Sequence, residues 1–152
     1  VTYDDLLASL NPAAWWKLDE TSGSSAADSS GHGHTGTYQG SPTLGVAGPF
    51  PGAKGVSLVP DQGVTTGWEG PASTGALTLV AWYKGMPSNW APVICGSNEV
   101  YFSNQGTQLI AGTLGGATDI DAWVGTSGGS QYLRVNNSSV ADASSWHMLV
   151  LS

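Results

Sequence analysis

The chain opens with a helical period and then changes to a strand-like one. Leu6, Leu7 and Leu10 fall on one helical face. Thr2 stands three residues before Asp5, a capping pattern, and Asp4 and Asp5 suit a helix N-terminus. Pro12 closes the segment. Thr2 to Leu10 is therefore predicted as a short helix within a lead-in of residues 1–12. Beyond it come short runs rich in β-branched and aromatic residues: AWWKL (14–18), GVSLV (55–59), ALTLVAWYK (76–84), APVIC (91–95), EVYFS (99–103), TQLIAGT (107–113), DIDAWV (119–124), QYLRV (131–135) and WHMLVL (146–151). Clusters of Gly, Ser, Asn or Pro separate them, the pattern of strands joined by turns.

In ALTLVAWYK, Leu77, Leu79, Ala81 and Tyr83 alternate with Thr78, Val80, Trp82 and Lys84. Both faces carry apolar groups, which predicts a central strand covered on each side. WHMLVL divides the same way. A doubly apolar strand is an awkward last element, so the chain reads as cut short. Residues 40–75 are predicted to be loop-dominated, pinned by Leu44, Phe50, Val56 and Leu58. There is no fixed-period repeat and no second domain in the pattern. Parallel strands would need crossover helices, and no amphipathic helix separates these runs. The expected class is all-β, an antiparallel two-sheet sandwich or jelly roll spanning residues 13–152 after the helix.

Composition narrows the function. The 152 residues are 40% hydrophobic but 10% charged, with 22 Gly, 8 Pro and 7 Trp. Such a surface is polar through Ser, Thr, Asn and backbone rather than through ions. Four basic against eleven acidic residues give a net charge of -7. That excludes the clustered Lys and Arg which a nucleic-acid partner requires, and it disfavours anionic lipid. No apolar run is long enough to insert into a membrane. The start, VTYDDLLASL, lacks the basic and apolar regions of a signal peptide. Cys95, in apolar APVICGS, has no intrachain partner and reads as a buried inert thiol.

The stretch AAWWKLDETSGSSAADSSGHGHTGTY carries a family likeness. Trp15, Trp16 and Leu18 form an aromatic–Trp–x–Leu run, and Asp19, Glu20, Ser22 and Gly23 an acidic–Glu–x–Ser–Gly turn. Asp28, Ser30, Gly31, Gly33 and Gly36 then fit an Asp–x–Ser–Gly–x–Gly–x–x–Gly loop. In this order, followed by GAKGVSL (52–58), LTLVAWYKG (77–85) and SSWHMLVLS (144–152), the chain resembles laminin-G-like, concanavalin-A-like jelly-roll domains. The resemblance implies that fold, with the last family strands, including an Asp–Gly hairpin, missing after the Trp–His run. The lead-in YDDLLASLNPAAWWKLDE is similar to laminin-G-like segments in tail and other virion proteins of phages infecting actinobacteria.

Several groups are candidates for chemistry. The resemblance implies a calcium ion on the DSSGHGHTG loop, with Asp28 as ligand and carbonyls of Gly31 or His34 beside it. Calcium takes six to eight oxygens, and this loop offers one carboxylate; Asp19, Glu20 or Asp61 would have to help. The competing reading makes Asp28 the acceptor of an Asx turn. His32 and His34 form a His–Gly–His pair that lacks a third ligand for zinc, and they read as an exposed turn. Asp119 and Asp121 alternate on one strand face, but Val124 stands where a family glycosidase would carry its second Glu, so a polar strand face is the simpler account. Trp15 or Trp16, with Trp82 and Trp146, are expected in the core. Trp68, Trp90 and Trp123, in or beside loops, are the ligand-binding candidates, with Asn89, Asn98 and Asn104 near for hydrogen bonding.

These readings converge on a non-enzymatic recognition or assembly module. The resemblance implies a phage virion component, in the tail or as capsid decoration, that contacts host-surface glycan or neighbouring subunits within an oligomeric assembly. Alternatives are a secreted bacterial carbohydrate-binding module and a purely structural subunit. A degraded glycosidase ranks behind them.

Overall fold

The computed structural model describes residues 1–68, 78–85, 91–95, 106–114, 117–126, 129–136 and 144–152. They form small antiparallel sheets and one short helix, an all-β class. The chain divides into two compact units, Val1–Trp68 and Glu69–Ser152.

The first unit begins with α1, Tyr3–Ser9, capped as the sequence predicts. The Asp5 N–H donates to Thr2 Oγ1 at 3.1 Å, and the Thr2 N–H donates to Asp5 Oδ2 at 2.8 Å. The leucine face does not bury. Leu6 and Leu10 are exposed, and no residue of α1 is buried. Two other contacts tether the helix: Lys17 Nζ meets Asp4 Oδ2 at 2.7 Å, and the Tyr3 ring lies 5.0 Å from that of Phe50.

Strands β1 (Ser25–Ala26), β2 (Gly36–Gln39), β3 (Thr43–Ala47), β4 (Lys54–Ser57) and β5 (Gly63–Thr65) follow. β2 lies between β1 and β5 in one sheet, and β3 pairs with β4 in another. Ala26, Gly36 and Tyr38 are buried at the centre of the first sheet. In the described part of the region 40–75, residues 40–68, three short strands, β3, β4 and β5, stand among turns and loops, and of these only β4 overlaps a predicted run, GVSLV. The alternation of β3 was hidden by glycine: Gly45 sits at φ 71, where the β3–β4 register shifts between Leu44 and Val46. AWWKL errs the other way. Only Trp16 makes a bridge, to Asp28, because Leu18 turns into the left-handed region at φ 57 and ends the extended run.

The second unit contains β6 (Leu79–Lys84), β7 (Ala91–Cys95), β8 (Gly106–Leu114), β9 (Ala117–Thr126), β10 (Gly129–Asn136) and β11 (Trp146–Leu151). One sheet runs β10–β9–β8–β7 and the other pairs β11 with β6. The predicted strand EVYFS (99–103) lies outside the described residues. On the β6–β11 pair one face buries Tyr83 and Leu149, while Val80, Met148 and Val150 on the other are 41–53% exposed. Cover on both faces, as both patterns predict, is therefore not what this pair has.

Candidate functional site

The DSSGHGHTG loop is ordered by its first residue. Asp28 Oδ1 accepts the N–H of Trp15 at 3.1 Å and of Ser30 at 2.9 Å, and Oδ2 accepts the N–H of His34 at 2.9 Å. Burial by itself would raise this carboxyl's pKa. Hydrogen bonds from Ser30, His34 and Trp15 outweigh it and hold the group well below the usual carboxylate range. Gly31 and Gly33, at φ 86 and 81, supply the left-handed turns that fold the loop back onto the carboxylate.

Strand register explains what the loop then meets. β1 and β2 pair Ser25 with Thr37 and Ala26 with Gly36, and continuing that register sets Asp28 opposite His34. β2 and β5 pair Thr37 with Thr65, and continuing it sets His34 opposite Trp68. On the far side, Trp16 bridges Asp28. Trp16, Asp28, His34 and Trp68 therefore form one row across four segments of chain. Side-chain contacts lock the row: Trp16 Nε1 donates to the His34 carbonyl at 2.6 Å, and the His34 ring stacks on Trp68 with centroids 4.5 Å apart and planes 20° apart. The Trp16 ring leans on Trp68 at 5.9 Å and 54°. The His32 ring continues the stack, 6.3 Å from His34 and 20° from parallel. His32 is exposed, whereas Trp16, His34 and Trp68 are half-buried. Trp68 itself is fixed by its N–H on Thr66 Oγ1 at 3.2 Å.

A second carboxylate braces the neighbouring turn. Glu20 Oε1 accepts the Ala27 N–H at 2.7 Å and Oε2 accepts the Tyr38 hydroxyl at 2.6 Å. The Lys17 ammonium lies 4.8 Å over the Trp15 ring, which takes that indole face out of use as a platform.

The three residues predicted for calcium, Asp28, Gly31 and His34, do not make a donor set that fits the ion. Three N–H dipoles already converge on the Asp28 carboxylate, and the His34 carbonyl is taken by the Trp16 indole. Among the described residues no group of three or more His, Cys, Asp or Glu is placed to hold a metal. Asp28 works as the Asx-type acceptor. The His pair is no chelate either, since near-parallel rings 6.3 Å apart do not aim their nitrogens at one point.

Of the ligand-binding candidates, Trp68 stands in the row and Trp123 does not. Trp123 lies within β9, opposite Gln108 and Tyr132, rather than in or beside a loop. Trp90 and Asn89, with Asn98 and Asn104, lie outside the described residues. Asp119 and Asp121 fall in β9 opposite Asn136 and Arg134, polar positions on a shared ladder. The sequence reading missed two partners. Trp16 was a core candidate, and His34 was weighed as a metal ligand, by carbonyl or ring, rather than as an aromatic partner. Searches against protein-family models, curated proteins and solved structures find no match to this chain.

Proposed function

We propose that the chain is a non-enzymatic recognition module of the laminin-G-like, concanavalin-A-like jelly-roll type, and that Trp68 with His34 is its saccharide platform. The observation that carries this reading is the half-buried indole stacked on an imidazole at 4.5 Å and held by neighbours in one row. Sugars present C–H faces that aromatic rings cover. A platform fixed before binding loses little entropy when the ligand arrives. Serine, threonine and glycine around it (Ser29, Ser30, Gly31, Gly33, Thr35, Thr66) offer neutral hydrogen-bonding groups, in keeping with a chain poor in charge. The order of sequence motifs and the small antiparallel sheets support the jelly roll. The lead-in likeness supports a virion component facing host glycan, with a secreted binding module as the alternative.

The test is calorimetry against a panel of cell-surface glycans. Binding is expected in the micromolar to millimolar range. Trp68→Ala, the loss of a central aromatic anchor, should weaken it by about 2 kcal/mol or more. No glycan bound by folded protein would sink the reading.

One observation favours a second reading, assembly with neighbouring subunits. Val80, Met148 and Val150 put exposed apolar surface side by side on β6 and β11. A structural subunit of this kind would show no glycan binding and an oligomeric state lost on Val150→Lys.

A further inference from the structure

We propose that the His32–His34–Trp68 stack is proton-gated and that, on mild acidification, it captures saccharides carrying carboxylate groups. This rests on the platform reading above and adds its regulation and ligand class.

Imidazole is the side chain whose charge changes between about pH 5 and pH 8. Two of the chain's three histidines stand in this one stack, and one of them lies on the indole. A proton on His34 places a cation against the Trp68 face, an arrangement the ring quadrupole favours. A proton on His32 meets Ser30 Oγ, 3.2 Å from Nδ1, and a hydroxyl can accept from imidazolium as readily as it donates to imidazole. The stack thus accommodates one added proton without rearranging its partners, whereas a second would set two cations 6.3 Å apart and is disfavoured.

Among the described residues, the charged groups on the segments that form the stack are already engaged. On the loop itself stands Asp28, its carboxylate turned inward and engaged by backbone N–H groups. On the Trp15–Leu18 segment the charged group is Lys17, over the Trp15 ring and paired with Asp4. The Thr66–Trp68 segment carries none. Residues 1–68 contain two lysines, Lys17 and Lys54, and no arginine. Neutral imidazoles give an anionic sugar nothing to pair with in a chain of net charge -7. Protonated, they put cationic donors beside the aromatic platform, so charge and stacking act on one ligand.

The experiment compares an oligogalacturonide with its fully methyl-esterified form, the same sugar without charge, by calorimetry at about pH 5.5 and about pH 8. The acid form should bind about fivefold more tightly at the lower pH, the yield of one charge pair, while the ester changes little. High salt should erase the difference. His32→Gln should shrink the pH step, and His32→Gln combined with His34→Phe should flatten it. Ester and acid binding alike at both pH values would overturn the gating and leave the platform standing. Binding of neither would overturn the acidic-saccharide proposal and leave the platform to the glycan panel, and a pH step that survives the double variant would assign it to other groups and reject the proposal.

Discussion

Glu20 and Tyr38 are joined by a 2.6 Å hydrogen bond that ties the turn after Trp16 to the central strand of the first sheet. Both groups are displaced from their ordinary acidity. For Glu20, burial raises the pKa, but the Tyr38 hydroxyl and the Ala27 N–H lower it further. For Tyr38, burial and the Glu20 carboxylate both push it up.

These shifts predict stability lost at both ends of the pH scale. A depressed carboxyl stabilises above the unfolded pKa of about 4 and loses that contribution as pH falls below it. A raised phenol stabilises below about pH 10 and loses its contribution as pH rises beyond. Urea midpoints of wild type, Glu20→Gln, Tyr38→Phe and the double variant should show coupling of about 1 kcal/mol near neutrality. The Tyr38→Phe curve should lack the alkaline decline due to this phenol.

Asp28→Asn should be costly although it is nearly isosteric. One oxygen accepts from Trp15 and Ser30 and the other from His34, so the new amide group must face a backbone N–H whichever way it is turned. The expected loss is about 1–3 kcal/mol in chemical denaturation. Because the wild-type carboxyl titrates well below its usual range, the wild type should lose this advantage as pH falls below about 4, and the two curves should converge there.

Glycines in the same region should respond differently to alanine. At Gly36 a Cβ would stand 2.7 Å from Val64 Cγ1, inside the three-stranded sheet, so Gly36→Ala should cost about 1–3 kcal/mol through overpacking. At Gly33 a Cβ meets nothing within 4 Å, and the cost is the left-handed backbone, about 1–2 kcal/mol. Gly33→Asn should recover part of that loss, whereas no side chain recovers Gly36. Thermal melts of the three variants check the distinction.

Gln62 links two turns through one amide. Its Nε2 donates to the Gly40 carbonyl at 2.8 Å and the Ser41 carbonyl at 3.2 Å, while Oε1 accepts the Val59 N–H at 3.0 Å. Gln62→Glu turns the donor into an acceptor against those carbonyls. A loss of about 1 kcal/mol or more is expected, with faster amide exchange at Val59.

What could be read from sequence was what is local. The α1 cap was legible because Thr2 and Asp5 are neighbours on the chain. The strands around 79–84, 106–136 and 146–151 were legible because uninterrupted β-branched and aromatic runs mark them. β5 escaped because three residues, Gly63–Thr65, are too few to display a period. The role of Asp28 was one of two readings that the loop left open. The stack of His34 on Trp68 had no signature at all: the residues meet because β2 and β5 pair in one register, and a single-residue slip would part them.

The tip of the signature loop bears on how such a protein diversifies. Gly31 and Gly33 flank the exposed His32, and although a Cβ at either would meet nothing within 4 Å, their left-handed backbone keeps both positions for glycine. The fold's own contacts are made on either side, at Asp28 and from His34 onward. Exchanges at residue 32, between the two glycines that shape the turn, would therefore alter the outermost rung while sparing the joinery beneath it. Descendants of one scaffold could change what they hold there without relearning how to fold.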